Sequence, residues 1–505
     1  MVSRSLSLFK WLFCRLPIAF SLPFTAISLW WVFYGFKKLN DLLAGWSLTV
    51  IKYILESQIQ IPKLLSHYLI VNLADFLHAL LVICLFFLGF LVAYNTSVLL
   101  NWILFKLKLK PIFYHADTPQ IPSPAVCEEN PFDKVKRIGI VLAGGGAKGA
   151  FQAGAMKAIY HYLSDHNALE KVKVISGTSI GSWNALFWLS DLIKPEKGWQ
   201  DQSIHEKWWR RISAKSLAAP SWYIPFFRNA FLSSEPWQQV FDYIFGRAEV
   251  MKRISESDIH FYLTRSNVRS GELECATNNP QPTPIARVSY DFIDRSDQNS
   301  FLRGLKAGVF ASMDLPPLFP YFQRDNKSFE DGGIIDNLPI IFPAMEGCDL
   351  IFILPLNSDF EEEPNDTSVI ARLFRVMEVR QGALERNGFK ILYLFNELAA
   401  LRNYTDKLPA TAHPVCIDSN STLSSALQRQ HEHINVFAVC PHKAFVQTTI
   451  NTQELWKRKE AGIAFDVMRQ ATSDIISGFR FDQKHDTVRV ALISRGGNVY
   501  WDERF

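Results

Sequence analysis

Cysteine is scarce and unpatterned. Seven residues (14, 84, 127, 275, 348, 416 and 440) are scattered over 505 positions, an odd number with no C-x-x-C. That excludes a disulfide framework and a cysteine-based zinc site, and it fits a reducing compartment. Cys14 and Cys84 fall in apolar runs, where a free cysteine acts as a small hydrophobe. No charge of one sign dominates either: 53 Lys+Arg stand against 49 Asp+Glu, a net charge of +4. At 48% hydrophobic and 20% charged residues, the chain is neither disordered nor collagen-like, and it contains no internal repeat. What the total hides is an asymmetry. Residues 1–110 carry a balance of +7 and the remainder −3. A basic, apolar front joined to a mildly acidic body argues against a nucleic-acid binder and for membrane attachment.

Long apolar runs are confined to that front. Leu16 to Phe36 holds 21 residues without a charge. As a helix it spans roughly 30 Å, the thickness of a hydrocarbon core. A second run starts at Phe76, and no Asp, Glu, Lys or Arg appears before Lys106. The expectation is a membrane anchor over 1–110 with two transmembrane helices, about 16–36 and 76–100. A cleaved signal peptide would have a shorter apolar region and a small-x-small cleavage site. Two buried core helices would leave the longer run unusually free of charge. Arg4, Lys10 and Arg15 before the first span, and Lys106, Lys108 and Lys110 after the second, put both ends and the globular body on the cytoplasmic side. Lys37, Lys38, Lys52 and Lys63 in the intervening loop weaken that bias. Leu39, Leu42, Leu43, Trp46, Val50, Tyr53 and Ile54 recur there at helical spacing, which suits an amphipathic helix on the membrane face or one packed on another chain.

Residues 111–134 hold Pro119, Pro122, Pro124 and Pro131 and read as a semi-rigid linker. From about 135, short β-branched runs alternate with helical stretches, the sign of an α/β fold with a parallel sheet and crossover helices. Residues 135–360 form the expected core, and 361–505 the helices and strands that complete it. Within the latter, Ile370–Leu401 predicts a long helix or a pair, Ile434–Val439 a strand, Ala464–Phe479 a closing helix, and the tail a hairpin across Gly496-Gly497.

The first predicted strand runs into Gly144-Gly145-Gly146-Ala147-Lys148-Gly149. Such a turn leaves N–H groups pointing outward at a helix start and suits a phosphate or a developing oxyanion. A dinucleotide fingerprint would need an acidic residue after the next strand, which instead ends in Ser and Gly; a P-loop would need Lys-Ser after Gly149. Gly177-Thr178-Ser179-Ile180-Gly181 is a G-x-S-x-G placed between a strand and a helix. Small residues two before and two after the serine let the chain reverse sharply and present Oγ at a helix N-terminus. Ser179 is therefore the candidate nucleophile, with Gly177 and Gly181 forming the elbow. Far downstream stands Asp331-Gly332-Gly333, followed by Asn337 and Pro339.

Three blocks in this order resemble the patatin-like phospholipases: G-G-G-x-[KR]-G at 144–149, G-x-S-x-G at 177–181, and D-G-[GA] at 331–333. Ala311–Pro320 is also similar to the family segment that precedes the aspartate. The resemblance covers about 135–355 and not the membrane segment. It implies a patatin-like three-layer α/β/α sandwich with a mostly parallel central sheet, here preceded by a two-helix transmembrane hairpin. It also implies a Ser179–Asp331 dyad cleaving lipid esters through an acyl-enzyme, and an oxyanion hole from Gly144, Gly145 and Gly146. No metal or cofactor is required, membrane phospholipids are the partners, and Lys148 is a candidate phosphate contact or else a solvated or structural lysine.

Alternatives accompany this reading. His413, His431, His433 and His442 follow Asp331 in the order a Ser–His–Asp triad allows, without a motif around any of them. A signal-gated effector that damages membranes, a neutral-lipid esterase and a catalytically silent lipid-binding scaffold are the competing functions. Trp222, Tyr223, Phe226 and Phe227 lie in a dense aromatic stretch that suits a lid or a bilayer-contacting rim, or a loop over the core. Trp208, Trp209, Arg210 and Arg211 suit headgroup contact or a helix with a snorkelling basic edge.

Overall fold

The computed structural model describes residues 130–195, 202–211, 219–220, 230, 232–316, 318–357, 369–405, 433–442, 458–481 and 488–502. The two predicted spans, the amphipathic segment between them, the proline-rich stretch up to 129, the aromatic residues 222–227, His413 and His431 lie outside the described residues. Among the described residues, no helix is long and apolar enough to cross a membrane.

In chain order the strands are β1 (Ile138–Leu142), β2 (Val172–Thr178), β3 (Ala219–Pro220), β4 (Leu232–Ser233), β5 (His260–Asn267), β6 (Leu273–Thr277), β7 (Val288–Phe292), β8 (Phe322–Arg324), β9 (Lys327–Asp331), β10 (Leu350–Leu354), β11 (Asn435–Pro441), β12 (Val490–Ile493) and β13 (Val499–Asp502). The helices are α1 (Gly149–Asp165), α2 (Ile180–Leu189), α3 (Ile204–Trp209), α4 (Glu235–Ile244), α5 (Ala248–Glu256), α6 (Gln298–Met313), α7 (Ile341–Met345), α8 (Val369–Thr405) and α9 (Arg458–Ser477).

The central sheet runs β13-β12-β11-β10-β1-β2-β5-β6-β7. From β12 to β5 every neighbouring pair is parallel; β13 and β6 join antiparallel. The mixed α/β class with a mostly parallel sheet is therefore as the sequence pattern predicts. IGIVL in β1 and LIFIL in β10 are apolar throughout and buried at every position, as strands covered on both faces must be.

The C-terminal expectations hold in outline. Residues 369–405 form one helix and not a pair, and β12 and β13 make the tail hairpin. The globular body begins earlier than the proline spacing suggested. Phe132 is fully buried and stacks on Phe481 at 4.7 Å, so the last residues of the expected linker already belong to the core.

β9 is the strand that matters for the site. β2 runs parallel to β5 and stops at Thr178, opposite Thr264. β9 runs antiparallel to β5 and ends at Asp331, opposite Arg265. The two strands thus occupy the same edge of β5 one after the other, and their C-terminal ends meet.

Candidate active site

Ser179 follows the last residue of β2 and caps α2 with φ 53° and ψ −123°. For a residue with a side chain this left-handed backbone costs about 1–3 kcal/mol, and such strain persists only where the surroundings enforce it. The enforcement is visible on both sides. A β-carbon on Gly181 would run into the Leu142 carbonyl, and one on Gly177 would lie 2.8 Å from the Gly181 carbonyl group. The Ser179 N–H donates to Ser312 Oγ at 2.8 Å, and Ser312 Oγ lies 2.9 Å from Ser182 Oγ, which donates to the Gly177 carbonyl. Ser312, at the end of α6, thereby ties the turn to a distant helix.

Asp331 arrives from the opposite direction. Its N–H donates to the Asp314 carbonyl at 3.0 Å, and its own carbonyl accepts from Ser266 Oγ at 2.9 Å. One carboxylate oxygen accepts the Gly333 N–H at 2.7 Å, and the Ser179 hydroxyl hydrogen-bonds to the same carboxylate. Burial raises this carboxyl to about 6, while those two hydrogen bonds hold it down. Thr178 and Thr264 lock the meeting strands, their hydroxyls 2.6 Å apart. Next to Asp331, burial and its negative charge push the Asp314 carboxyl well above the usual carboxylate range.

The glycine loop lies beyond β1, where the sheet order changes direction between β10 and β2; clefts in open α/β sheets form at such points. The three glycines are not equivalent. The Gly144 N–H is committed to the Asn337 carbonyl at 3.2 Å, so it does not face a substrate as the sequence reading had it. Gly145 and Gly146 are partly exposed, Gly146 at φ 54°, and among the described residues neither N–H is paired within the protein.

Lys148 is also elsewhere than expected. It is buried and donates from Nζ to Asn357 Oδ1 at 2.9 Å, so it does not face a lipid phosphate. Trp208 and Trp209 are buried as well. Trp208 lies 5.1 Å from Trp183 in an aromatic cluster with Trp237 and Phe245, and Arg210 pairs with Glu206 and Asp466, so headgroup contact does not apply to these three residues. His442 stacks at 4.9 Å on Tyr500 of the tail hairpin, remote in sequence from the three motifs. Among the described residues no group of histidine, cysteine and carboxylate side chains could hold a metal ion.

Several supporting residues carry no sequence motif. Gln152 donates to the carbonyls of Ala143 and Leu354, and Asn184 donates to Gln152 and accepts from Trp209 Nε1. Asn337, Asn357 and Glu385 form a second buried set. Glu385 accepts from both asparagine amides, and burial pushes it up to about 8. Of this second set, Asn337 alone stood near a motif, downstream of Asp331-Gly332-Gly333; Glu385, between Arg380 and Arg386, leaves no sequence signal.

A patatin-like phospholipase family model matches residues 140–343. The chain is 26% identical over 233 residues to a lysophospholipase NTE1 of Phaeosphaeria nodorum, covering 45% of this chain and 12% of that protein. It is 26% identical over 254 residues to the lysophospholipase NTE1 of Saccharomyces cerevisiae, covering 48% of this chain and 13% of that protein. The chain thus spans only a small part of the length of the curated relatives it matches. Among solved structures, VipD from Legionella pneumophila aligns over 67% of each chain at 15% identity with a TM-score of 0.29, too slight a likeness to bear on the fold. Residues 140–343 are thus similar to a patatin-like phospholipase domain.

Proposed function

We propose that this protein hydrolyses carboxylic esters of phospholipids or lysophospholipids through a Ser179–Asp331 dyad, held at a membrane by residues 1–110. The observation that carries the reading is the meeting of β2 and β9 on one edge of β5, which sets a strained serine against a buried carboxyl group. Asp331 takes the Ser179 hydroxyl proton as Oγ attacks the ester carbonyl, and returns it to the departing alcohol. Water then attacks the acyl-serine with the same carboxylate as base, releasing the fatty acid and restoring the hydroxyl. Each tetrahedral oxyanion is received by the N–H groups of Gly145 and Gly146, and one such donor contributes about 3–4 kcal/mol. The anchoring rests on the two uncharged runs and the basic flanks of the front segment.

The test is fatty-acid release from vesicles of mixed phospholipid and lysophospholipid by the purified protein beside its Ser179→Ala variant. Release by the wild type that is lost in the variant is expected; equal release by both would overturn the nucleophile. Silence from both would count against constitutive hydrolysis.

A further inference from the structure

We propose that Glu385 is a positioning residue for the oxyanion loop, clamping it from both ends through two asparagines. The inference rests on the reading of Gly145 and Gly146 as oxyanion donors. Glu385 sits on α8, outside the matched segment 140–343, and is fully buried. Its Oε1 accepts from Asn337 Nδ2 at 2.6 Å and from Asn357 Nδ2 at 2.7 Å, and its Oε2 accepts the Asn357 N–H at 3.3 Å.

Each asparagine continues to one end of the loop. Asn337 Nδ2 also donates to the Gly144 carbonyl at 3.1 Å, and its main-chain carbonyl accepts the Gly144 N–H. Asn357 Oδ1 accepts from Lys148 Nζ, and the Lys148 N–H closes onto the Gly145 carbonyl at 3.1 Å. Gly145 and Gly146 lie between these two fixed points. The Asn337 amide cannot simply turn over. Its Nδ2 already faces two acceptors, and Oδ1, which has no hydrogen-bond donor, is wedged against Gly144 and Gly333.

A carboxyl group suits this position because three donors converge on it and both its oxygens still accept with or without its proton. Glutamine of the same shape would turn an NH2 group toward another donor. The nearby Lys148 charge offsets part of the cost of burying the carboxylate. Since the oxyanion exists only on the way through the transition state, slackening the loop should lower kcat and leave KM alone.

The experiment compares full-length wild type with Glu385→Gln, using a soluble nitrophenyl ester for kcat and KM and hydrogen–deuterium exchange of the peptide covering 143–149. A fall in kcat of about tenfold to a hundredfold is expected, with KM within about twofold. Faster exchange in 143–149 should accompany it, with β1 and β2 unchanged. Wild-type kcat per folded molecule together with wild-type exchange would overturn the proposal, as would a loss that only follows the unfolded fraction. If Glu385→Gln does not fold, Asn357→Ser cuts the Lys148 arm alone and carries the same expectations. A Ser179→Ala protein as active as wild type would sink the hydrolase reading instead. The exchange experiment needs no turnover and decides the clamp separately.

Discussion

At the serine turn, an added methyl group would run into main chain: the Leu142 carbonyl for Gly181, the Gly181 carbonyl group for Gly177. At the glycine loop, the neighbours are side chains: Asn337 Oδ1 at 2.5 Å for Gly144 and Leu356 at 2.7 Å for Gly145, with open space around Gly146. Main chain in a sheet cannot yield, whereas a side chain can rotate away. The proposed nucleophile is thus fixed by rigid local geometry, and the proposed oxyanion donors by a chain of hydrogen bonds that ends on a helix more than 200 residues downstream. The first device is compact and written in five residues. The second is extended and can be loosened without unfolding the protein.

The largest effects should come from removing the reacting groups. Ser179→Ala and Asp331→Asn should each lower kcat by roughly 10⁴-fold or more, with the thermal midpoint little changed. For Asp331→Asn the retained oxygen still accepts the Gly333 N–H, so full activity with intact folding would refute the dyad. Next, Gly181→Ala should cost about 3 kcal/mol in urea unfolding, because no nearby group can move. Gly146→Ala, with φ 54° but no neighbour within 4 Å, should cost only about 1–2 kcal/mol. Equal costs for the two would erase the contrast between the turns. Gly144→Ala tests the soft side directly: it should displace Asn337 and lower kcat far more than it lowers the urea midpoint.

Two smaller effects depend on pH. Since the Asp331 carboxyl lies at about 6 and is the proposed base, kcat/KM should rise with pH through that value and level off above it. A profile flat between pH 5 and 8 would exclude it as the titrating base. Glu385, ordinarily near 4.5 and raised to about 8, keeps its proton in the folded state where the unfolded chain has lost it. Its contribution to stability therefore falls as pH rises across that window. Glutamine carries no such penalty, so the thermal midpoint of Glu385→Gln relative to wild type should climb from pH 5 to pH 8. An unchanging difference would mean that Glu385 does not titrate there.

Local features of the sequence were readable where one short stretch holds all the constraints. G-x-S-x-G must form an elbow because its glycines meet main chain. The apolar runs of β1 and β10 must be buried strands, and Gly496-Gly497 must turn a hairpin. Lys148 stayed open in the sequence because a basic residue beside a glycine loop serves equally as an anion ligand or as the partner of a buried polar set. Its own neighbours in sequence contain neither Asn357 nor Glu385. Gly144 was grouped with Gly145 and Gly146 for the same reason: the acceptor that takes its N–H is Asn337, which sequence spacing does not bring near. For Trp208 and Trp209 the sequence left headgroup contact and a helix edge equally open, and only the neighbouring Trp183 and Trp237 show that they belong to the core.

By itself, then, the sequence determined the α/β pattern and the serine elbow, because each is set by side-chain type and short-range backbone sterics; Asp331 stood out only through the resemblance of the three blocks to a family. The tertiary structure decided that β9 takes over the edge of β5 where β2 stops, and that Glu385 reaches the oxyanion loop through Asn337 and Asn357. Both are contacts between residues far apart in the chain, and such contacts are chosen by how strands share an edge and how buried polar groups find partners, not by any local run of residues.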